Sequence, residues 1–323
     1  MKLYKFTYLI TLILLVFSAC PTGDVLQQVL STTATAPVFL DCRPVSATEV
    51  SFRFSHAVRV VSLNFDPALP VRAIAEGEEV RVSFSQPLEE GKRITADVLV
   101  EDTDKNTLNV IVPFRSRNDR MPKLLFNEIR TDYSRPRVEF VEFFVLEGGN
   151  LGALRLFIAG HSITRPVYEF SPMEIGAGEY LLLNLRTLEE GNVDSNREIW
   201  VPGTTKLLRR TDALWLLDQD DRIIDALLIS ENPGAAWASQ SINTVAELFG
   251  REKAWLPPGG GDAPDGWIPS PSDAVISAGT TATRTINRDE SLAPAPSAGN
   301  WYVTATSGNT PGRPNDARRH ISN

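Results

Sequence analysis

Residues 124–160, LLFNEIRTDYSRPRVEFVEFFVLEGGNLGALRLFIAG, decide how the chain is read. A strand is expected to end in Asn127-Glu128-Ile129, a polar connection containing Pro136 follows, and a second strand carries Glu139-Phe140-Val141-Glu142-Phe143. After the Gly148-Gly149 break, a further strand runs from Arg155 to Ile158. Short runs rich in Val, Ile and Phe and bounded by Gly, Pro and Asn are strand signals. Glu139 and Glu142 look like the paired carboxylates of acid–base catalysis. On a regular strand, residues three apart point to opposite faces. The expectation is therefore that the two diverge unless a bulge intervenes, and that they fix the fold through hydrogen bonds. Whichever one shares a face with apolar neighbours needs a buried partner, because an unpaired buried charge is costly.

The same reading extends toward the amino terminus. Val50, Phe52 and Phe54 alternate with polar neighbours, as do Val80, Val82 and Phe84. Ile94, Ala96, Val98 and Val100 repeat the pattern, and so do Leu108, Val110 and Val112. Period-two alternation marks strands with one buried face. The separators "DPALP", "EEGK" and "DTDKN" are turn-rich, at spacings that suit an antiparallel sandwich. Residues 37–117 are read as one small all-β domain.

That region resembles a bacterial immunoglobulin-like domain. "VSFRFSHAV" (50–58) is similar to its early strand, and "LEEGKRITADVLVEDTDKNTL" (88–108) to its later hairpin. Ala57 stands where proline is common, and Lys105 where a turn glycine is expected. From 122 to 316 the chain resembles the lamin tail domain. The opening strands are followed in the family's order by "GAGEYLLLN" (176–184), "TDALWLLDQDDRIIDALLI" (211–229), "ATRTINRD" (282–289) and "NWYVTATSGNTPGRPN" (300–315). Phe140 replaces a tryptophan and Asp221 a turn glycine. The resemblances imply two immunoglobulin-like antiparallel β-sandwiches in tandem. They imply spacer, adhesive, binding or scaffolding roles and transfer no catalytic residue.

The amino terminus, MKLYKFTYLITLILLVFSAC, carries Lys2 and Lys5 ahead of an apolar run from Phe6 to Phe17. That run is too short for a membrane-spanning helix, which needs about 20 residues, and suits a secretory signal over 1–19. Phe17-Ser18-Ala19-Cys20 resembles the lipobox of bacterial lipoproteins, with Cys20 as the lipidated residue. An ordinary cleaved signal beside a chance cysteine is the alternative. Lipidation implies several acyl chains, which anchor far more firmly than one. Residues 20–36 are polar and small and are read as a flexible tether. Without residues 1–19 the chain keeps thirty basic and 40 acidic residues, a net charge of −10. Cys42 is then left without an intramolecular disulfide partner. It is expected to pack as a small apolar residue, with a nucleophilic or intermolecular role as the alternative.

An acidic chain with no basic run lacks the footprint of a nucleic-acid binder. Histidine is limited to His56, His161 and His320, and no HExxH, CxxC or GxSxG occurs. No catalytic residue, metal ligand or cofactor is assigned, although a triad through His161 is not excluded by sequence. Asp218, Asp220 and Asp221 resemble a calcium loop. The run is too short for an EF-hand, so a solvated hairpin turn is preferred to a weak calcium site.

Residues 231–279 form a long insertion in the second domain, with a short helix expected over Thr244–Phe249 between Asn243 and Gly250 as caps. Trp237, Trp255 and Trp267 fall within it. They are candidate ligand-binding residues that stack on sugars or anchor a protein. The preferred alternative is that they fold back and cap the sandwich core. The functional expectation is a non-catalytic lipoprotein of the outer membrane, held by its lipid and acting as a structural, adhesive or protein-binding module. The second expectation is an enzyme accessory or hydrolase of envelope polymers that grips glycan with the insertion.

Overall fold

The computed structural model describes residues 36–188, 197–259 and 261–321. Cys20, the signal segment and the tether up to residue 35 lie outside the described residues. The chain is all-β with a single α-helix among the described residues. Two compact units emerge: 36–43, 51–82 and 95–112 in one, and 44–50, 83–94 and 113–321, apart from positions not described, in the other. No helix among the described residues is long and apolar enough to cross a membrane.

The first six strands are β1 (Phe39–Ser46), β2 (Glu49–Asp66), β3 (Val71–Ala75), β4 (Gly77–Phe84), β5 (Arg93–Glu101) and β6 (Thr107–Arg115). They form a sheet in the order β3-β4-β2-β5-β6, with β1 also pairing β2. The alternating residues read from the sequence point inward: Val50, Phe52, Phe54, Val80, Val82, Ile94, Ala96, Val98 and Val100 are buried. On the edge strand β6 the alternation survives but burial is partial. The turn after β5 is closed by Asp102, whose Oδ1 accepts from the amides of Asp104 (2.8 Å) and Asn106 (2.9 Å). Lys105, where a turn glycine was expected, takes φ 69°. The backbone thus keeps the left-handed turn without the residue that adopts it most easily.

The second unit adds β7 (Lys123–Arg130), β8 (Phe140–Glu147), β9 (Gly149–Asn150), β10 (Arg155–Ile158), β11 (Tyr168–Glu169), β12 (Glu174–Ile175), β13 (Tyr180–Asn184) and β14 (Glu198–Trp200). It continues with β15 (Asp212–Leu217), β16 (Ile223–Ser230), α1 (Gln240–Arg251), β17 (Val275–Ile276), β18 (Ile286–Arg288) and β19 (Trp301–Val303). A six-stranded sheet runs β14-β13-β8-β7-β18-β19, a five-stranded sheet runs β11-β10-β15-β16-β17, and β9 pairs β12. Most pairings are antiparallel; β13–β14 and β16–β17 are parallel. Phe126, Phe143 and Leu183 of the first sheet share one buried cluster with Leu156, Leu214 and Leu227 of the second.

The five-stranded sheet is buried on both faces. Leu214 and Leu216 alternate with Trp215, yet all three are buried. Trp215 stacks on Phe157 at 5.0 Å, and the edge of Phe249 of α1 meets it at 6.1 Å. A sheet covered on both sides needs continuous apolar runs instead of alternation, which is what "RLFI", "DALWLL" and "IIDALLI" are. The insertion is therefore largely a packed third layer.

The helix differs from the expected Thr244–Phe249. It begins at Gln240, and its N-cap is Ser239, whose Oγ accepts from the Ile242 amide at 3.3 Å; Asn243 lies inside the helix. Ile242, Val245, Ala246 and Phe249 supply a buried face at helical spacing. Gly250 belongs to the last turn, and glycine is needed there because a Cβ would sit 2.3 Å from the Trp267 carbonyl oxygen. The strand β17, inside the stretch read as loop, completes the sheet edge.

Trp255 folds back into the core, as the preferred alternative had it, and is thereby removed from the candidate ligand-binding residues. It is 0% exposed, and its Nε1 donates to the Asp273 carbonyl at 2.9 Å. Removing a large buried aromatic costs about 3–5 kcal/mol. Trp255→Ala is expected to shift the urea midpoint by that order, whereas Trp267→Ala, at a half-buried ring, shifts it far less. Equal shifts would show that Trp255 is not a core residue.

Candidate functional site

The β7–β8 pairing carries a bulge between Phe126 and Glu128, whose extra residue, Asn127, lies on β7 and leaves the alternation along β8 intact. Glu139, just before β8, is buried against Arg186 at 3.4 Å, and that guanidinium lies 4.0 Å over the Tyr133 ring. Glu142 accepts instead from Asn127 Nδ2 at 3.0 Å and from the Gly312 amide. The two carboxylates are consumed in separate networks, as their odd spacing led us to expect.

Glu128 and Glu142 face each other across the β7–β8 register. Glu128 accepts from Thr285 Oγ1 at 2.6 Å, and from the amide and hydroxyl of Thr310 at 3.0 and 3.3 Å. Asn315 donates to Asn127 Oδ1 (3.1 Å) and to the Arg288 carbonyl (2.9 Å), while Asn287 donates to Asn315 Oδ1 (2.7 Å). The "TPGRPN" segment, 310–315, is thus stitched across β7, β8 and β18. Burial is the largest influence on both acids and pushes them up, Glu142 to about 8. Glu142 therefore holds its proton at neutral pH.

A buried ion pair joins the two sheets. The β7–β18 pairing covers Ile129–Ile286 and Glu128–Asn287. Beyond it, Arg288 Nε donates to the Phe126 carbonyl (2.6 Å), Arg288 Nη2 donates to Asp225 Oδ2 (2.6 Å), and the Phe126 amide donates to the same oxygen (2.8 Å). The guanidinium also lies 4.5 Å over the Trp301 ring. Burial raises the Asp225 carboxyl, and Arg288 is the first influence opposing that rise.

Arg288 and Asp225 line a cavity of about 650 Å³ between the five-stranded sheet and the end of α1. Its apolar walls include Trp215, Leu217, Ile223 and Leu248. Asp221 and Glu252 also line it but pair with Arg155 (2.8 Å) and Arg251 (3.1 Å). Arg222 and Lys253, both exposed at the cavity, have no carboxylate partner among the described residues. A second hollow of about 370 Å³ shares Lys253 and is lined by Glu247, Arg251, Asp265 and Trp267. Trp237 is half-buried, its Nε1 donating to the Pro269 carbonyl at 3.1 Å. Trp267 lines this second hollow.

The other candidates resolve locally. Asp218 Oδ1 accepts from the amides of Asp220 (2.8 Å) and Arg222 (2.9 Å), and Asp221 takes φ 62°, so these three form the hairpin turn between β15 and β16. Among the described residues, no three His, Cys, Asp or Glu side chains are grouped as a metal ion would require. Cys42 is free, and burial followed by Asp41 pushes its thiol up to about 12, which suppresses the nucleophilic thiolate. His161 is exposed, and its ring makes no hydrogen bond among the described residues. The cavity went unforeseen because Arg222, Lys253 and Arg288 lie far apart in sequence; the continuous apolar runs of β15 and β16 were the available signal that a cover existed.

Such an all-β chain, with a buried polar staple and a cavity under an inserted helix, can be set beside known proteins. Residues 122–303 match the family TP_1001_2nd, protein second domain, and the chain belongs to that family. An uncharacterized protein of Treponema pallidum (strain Nichols) is 24% identical over 198 residues, covering 54% of this chain and 50% of that protein. The chain thus spans about half the length of that relative. The crystal structure of the N-terminal part of the bacterial S-layer protein SbsC aligns over 55% of this chain and 46% of that one, at 14% identity. Its TM-score of 0.26 carries no structural argument.

The Glu142 proton has a stability consequence. Its pKa is about 8 folded against an ordinary 4.5, so the folded state binds the proton more tightly. The stabilisation is complete below about pH 4.5 and is lost as pH rises through about 8. Glu142→Gln removes this dependence. In urea titrations the variant is expected to gain on the parent protein as pH rises from 5 to 8; parallel curves would contradict the assignment.

Proposed function

We propose that this chain is a lipid-anchored, non-catalytic module of a bacterial cell envelope, and that the cavity beside α1 is where it holds a ligand. The cavity carries the reading, since it combines apolar walls with two cations that have no protein partner among the described residues. Pockets of 300–1,000 Å³ lined by apolar groups and a few polar ones are typical of ligand sites. The carboxylates that suggested acid–base chemistry are instead occupied in structural networks. The lipobox-like Phe17-Ser18-Ala19-Cys20 supports attachment at the outer membrane, and the lamin tail and immunoglobulin-like resemblances support a binding or scaffolding role.

The test uses the full chain in its bacterium. Cys20→Ala is expected to abolish palmitate labelling and move the protein from the membrane to the soluble fraction. That soluble form should be retained on envelope material, and Arg222→Glu with Lys253→Glu should lower retention at least tenfold. Unchanged fractionation, unchanged retention, or turnover of an envelope polymer would each overturn the reading.

One observation favours glycan as a second reading. Trp267 lines its hollow beside Asp265, Glu247 and Arg251, an aromatic face flanked by planar polar groups. Trp267→Ala should then abolish binding on a glycan array while leaving the urea midpoint nearly in place. No binding by the parent protein would exclude it.

A further inference from the structure

The cavity between the five-stranded sheet and α1 has a floor that specifies its ligand more narrowly. Arg288 is 6% exposed at its side chain and lines the cavity. Its Nε and Nη2 are occupied by Phe126 and Asp225, whereas Nη1 has no acceptor among the described residues. Nη1 is not one of the buried side-chain atoms left without a partner, so it is open to water on the cavity side and free to donate to a ligand there. Asp225 already neutralises much of the Arg288 charge at 2.6 Å. A dianion would be repelled by that carboxylate, while a singly charged planar acceptor fits the remaining edge of the guanidinium. Arg222 and Lys253 at the same cavity add positive charge, because the neighbouring acids Asp221 and Glu252 are paired elsewhere. The walls of Trp215, Leu217, Ile223 and Leu248 call for a hydrocarbon body.

We propose that this cavity binds an apolar monocarboxylate, its carboxylate held by Arg288 with Arg222 and Lys253, and its hydrocarbon lying on Trp215, Leu217, Ile223 and Leu248. The assignment rests on the reading of the chain as a binding module and names the chemistry of its ligand. Two sources carry that chemistry: a free fatty acid, and the carboxyl terminus of an apolar peptide.

Calorimetric titration of the chain carrying Cys20→Ala, which needs no detergent, separates them. The probes are octanoate and acetylated alanyl-leucyl-leucine, each beside its neutral amide. Saturable binding of a carboxylate, at least tenfold tighter than its amide, is expected. Octanoate alone binding identifies a fatty acid, the tripeptide alone identifies a peptide terminus, and both binding identifies the shared chemistry. Arg222→Glu with Lys253→Glu, at exposed positions, should weaken binding at least tenfold with unchanged circular dichroism. Leu248→Trp, which fills the cavity, should abolish it. No binding by either carboxylate, equal binding of the amides, or indifference to the charge reversals would overturn the proposal. If neither probe binds while the chain is still retained on envelope material, this assignment fails and the binding-module reading stands. If probes bind without such retention, the envelope reading fails instead.

Discussion

The second unit depends on a buried ion pair between Asp225 of β16 and Arg288 of β18. Each belongs to a different sheet, and the Phe126 peptide of β7 donates to one and accepts from the other. Burying two charges is costly, and the cost is offset only when geometry and extra hydrogen bonds are good. Here the guanidinium has the Phe126 carbonyl, the Asp225 carboxylate and the Trp301 face around it. Losing one partner of such a pair typically costs 3–5 kcal/mol, so the pair specifies how the two sheets register on each other.

From that register the rest of the unit follows. Where the β7–β18 ladder stops, side chains of Asp225 and Arg288 replace it; where it continues, Glu128 and Glu142 sit in the interior. These acids are tolerated because 310–315 returns to supply amides and hydroxyls, and because Glu142 keeps its proton. The closing segment therefore caps the buried acids from outside, with Thr310 alone of its residues buried, and forms no strand of its own. On the other face of the five-stranded sheet, the insertion covers Trp215 and leaves the cavity at the edge of that cover.

Much of this was legible in the chain itself. Period-two alternation marked β2, β4 and β5 because one face of that sheet is wet, and the buried positions are the alternating ones. The odd spacing of Glu139 and Glu142 correctly separated them. The helix was misplaced by four residues at its start because Asn243 is as good a cap by type as Ser239. Only the contact of Ile242 with the core shows which turn comes first. Lys105 and Asp221 broke a turn pattern in composition but kept it in backbone conformation, since Asp and, less readily, Lys adopt the left-handed region when the flanking strands demand it.

The sequence by itself determined the all-β class and the main strands. These depend on local periodicity and composition, which a linear reading sees. Tertiary structure alone decided that Trp255 is core while Trp267 lines a hollow. It also decided that Glu142 retains a proton, and that Arg222, Lys253 and Arg288 meet at one cavity. Each of these depends on which distant atoms replace water around a side chain, and that is set by how the sheets and the insertion pack together.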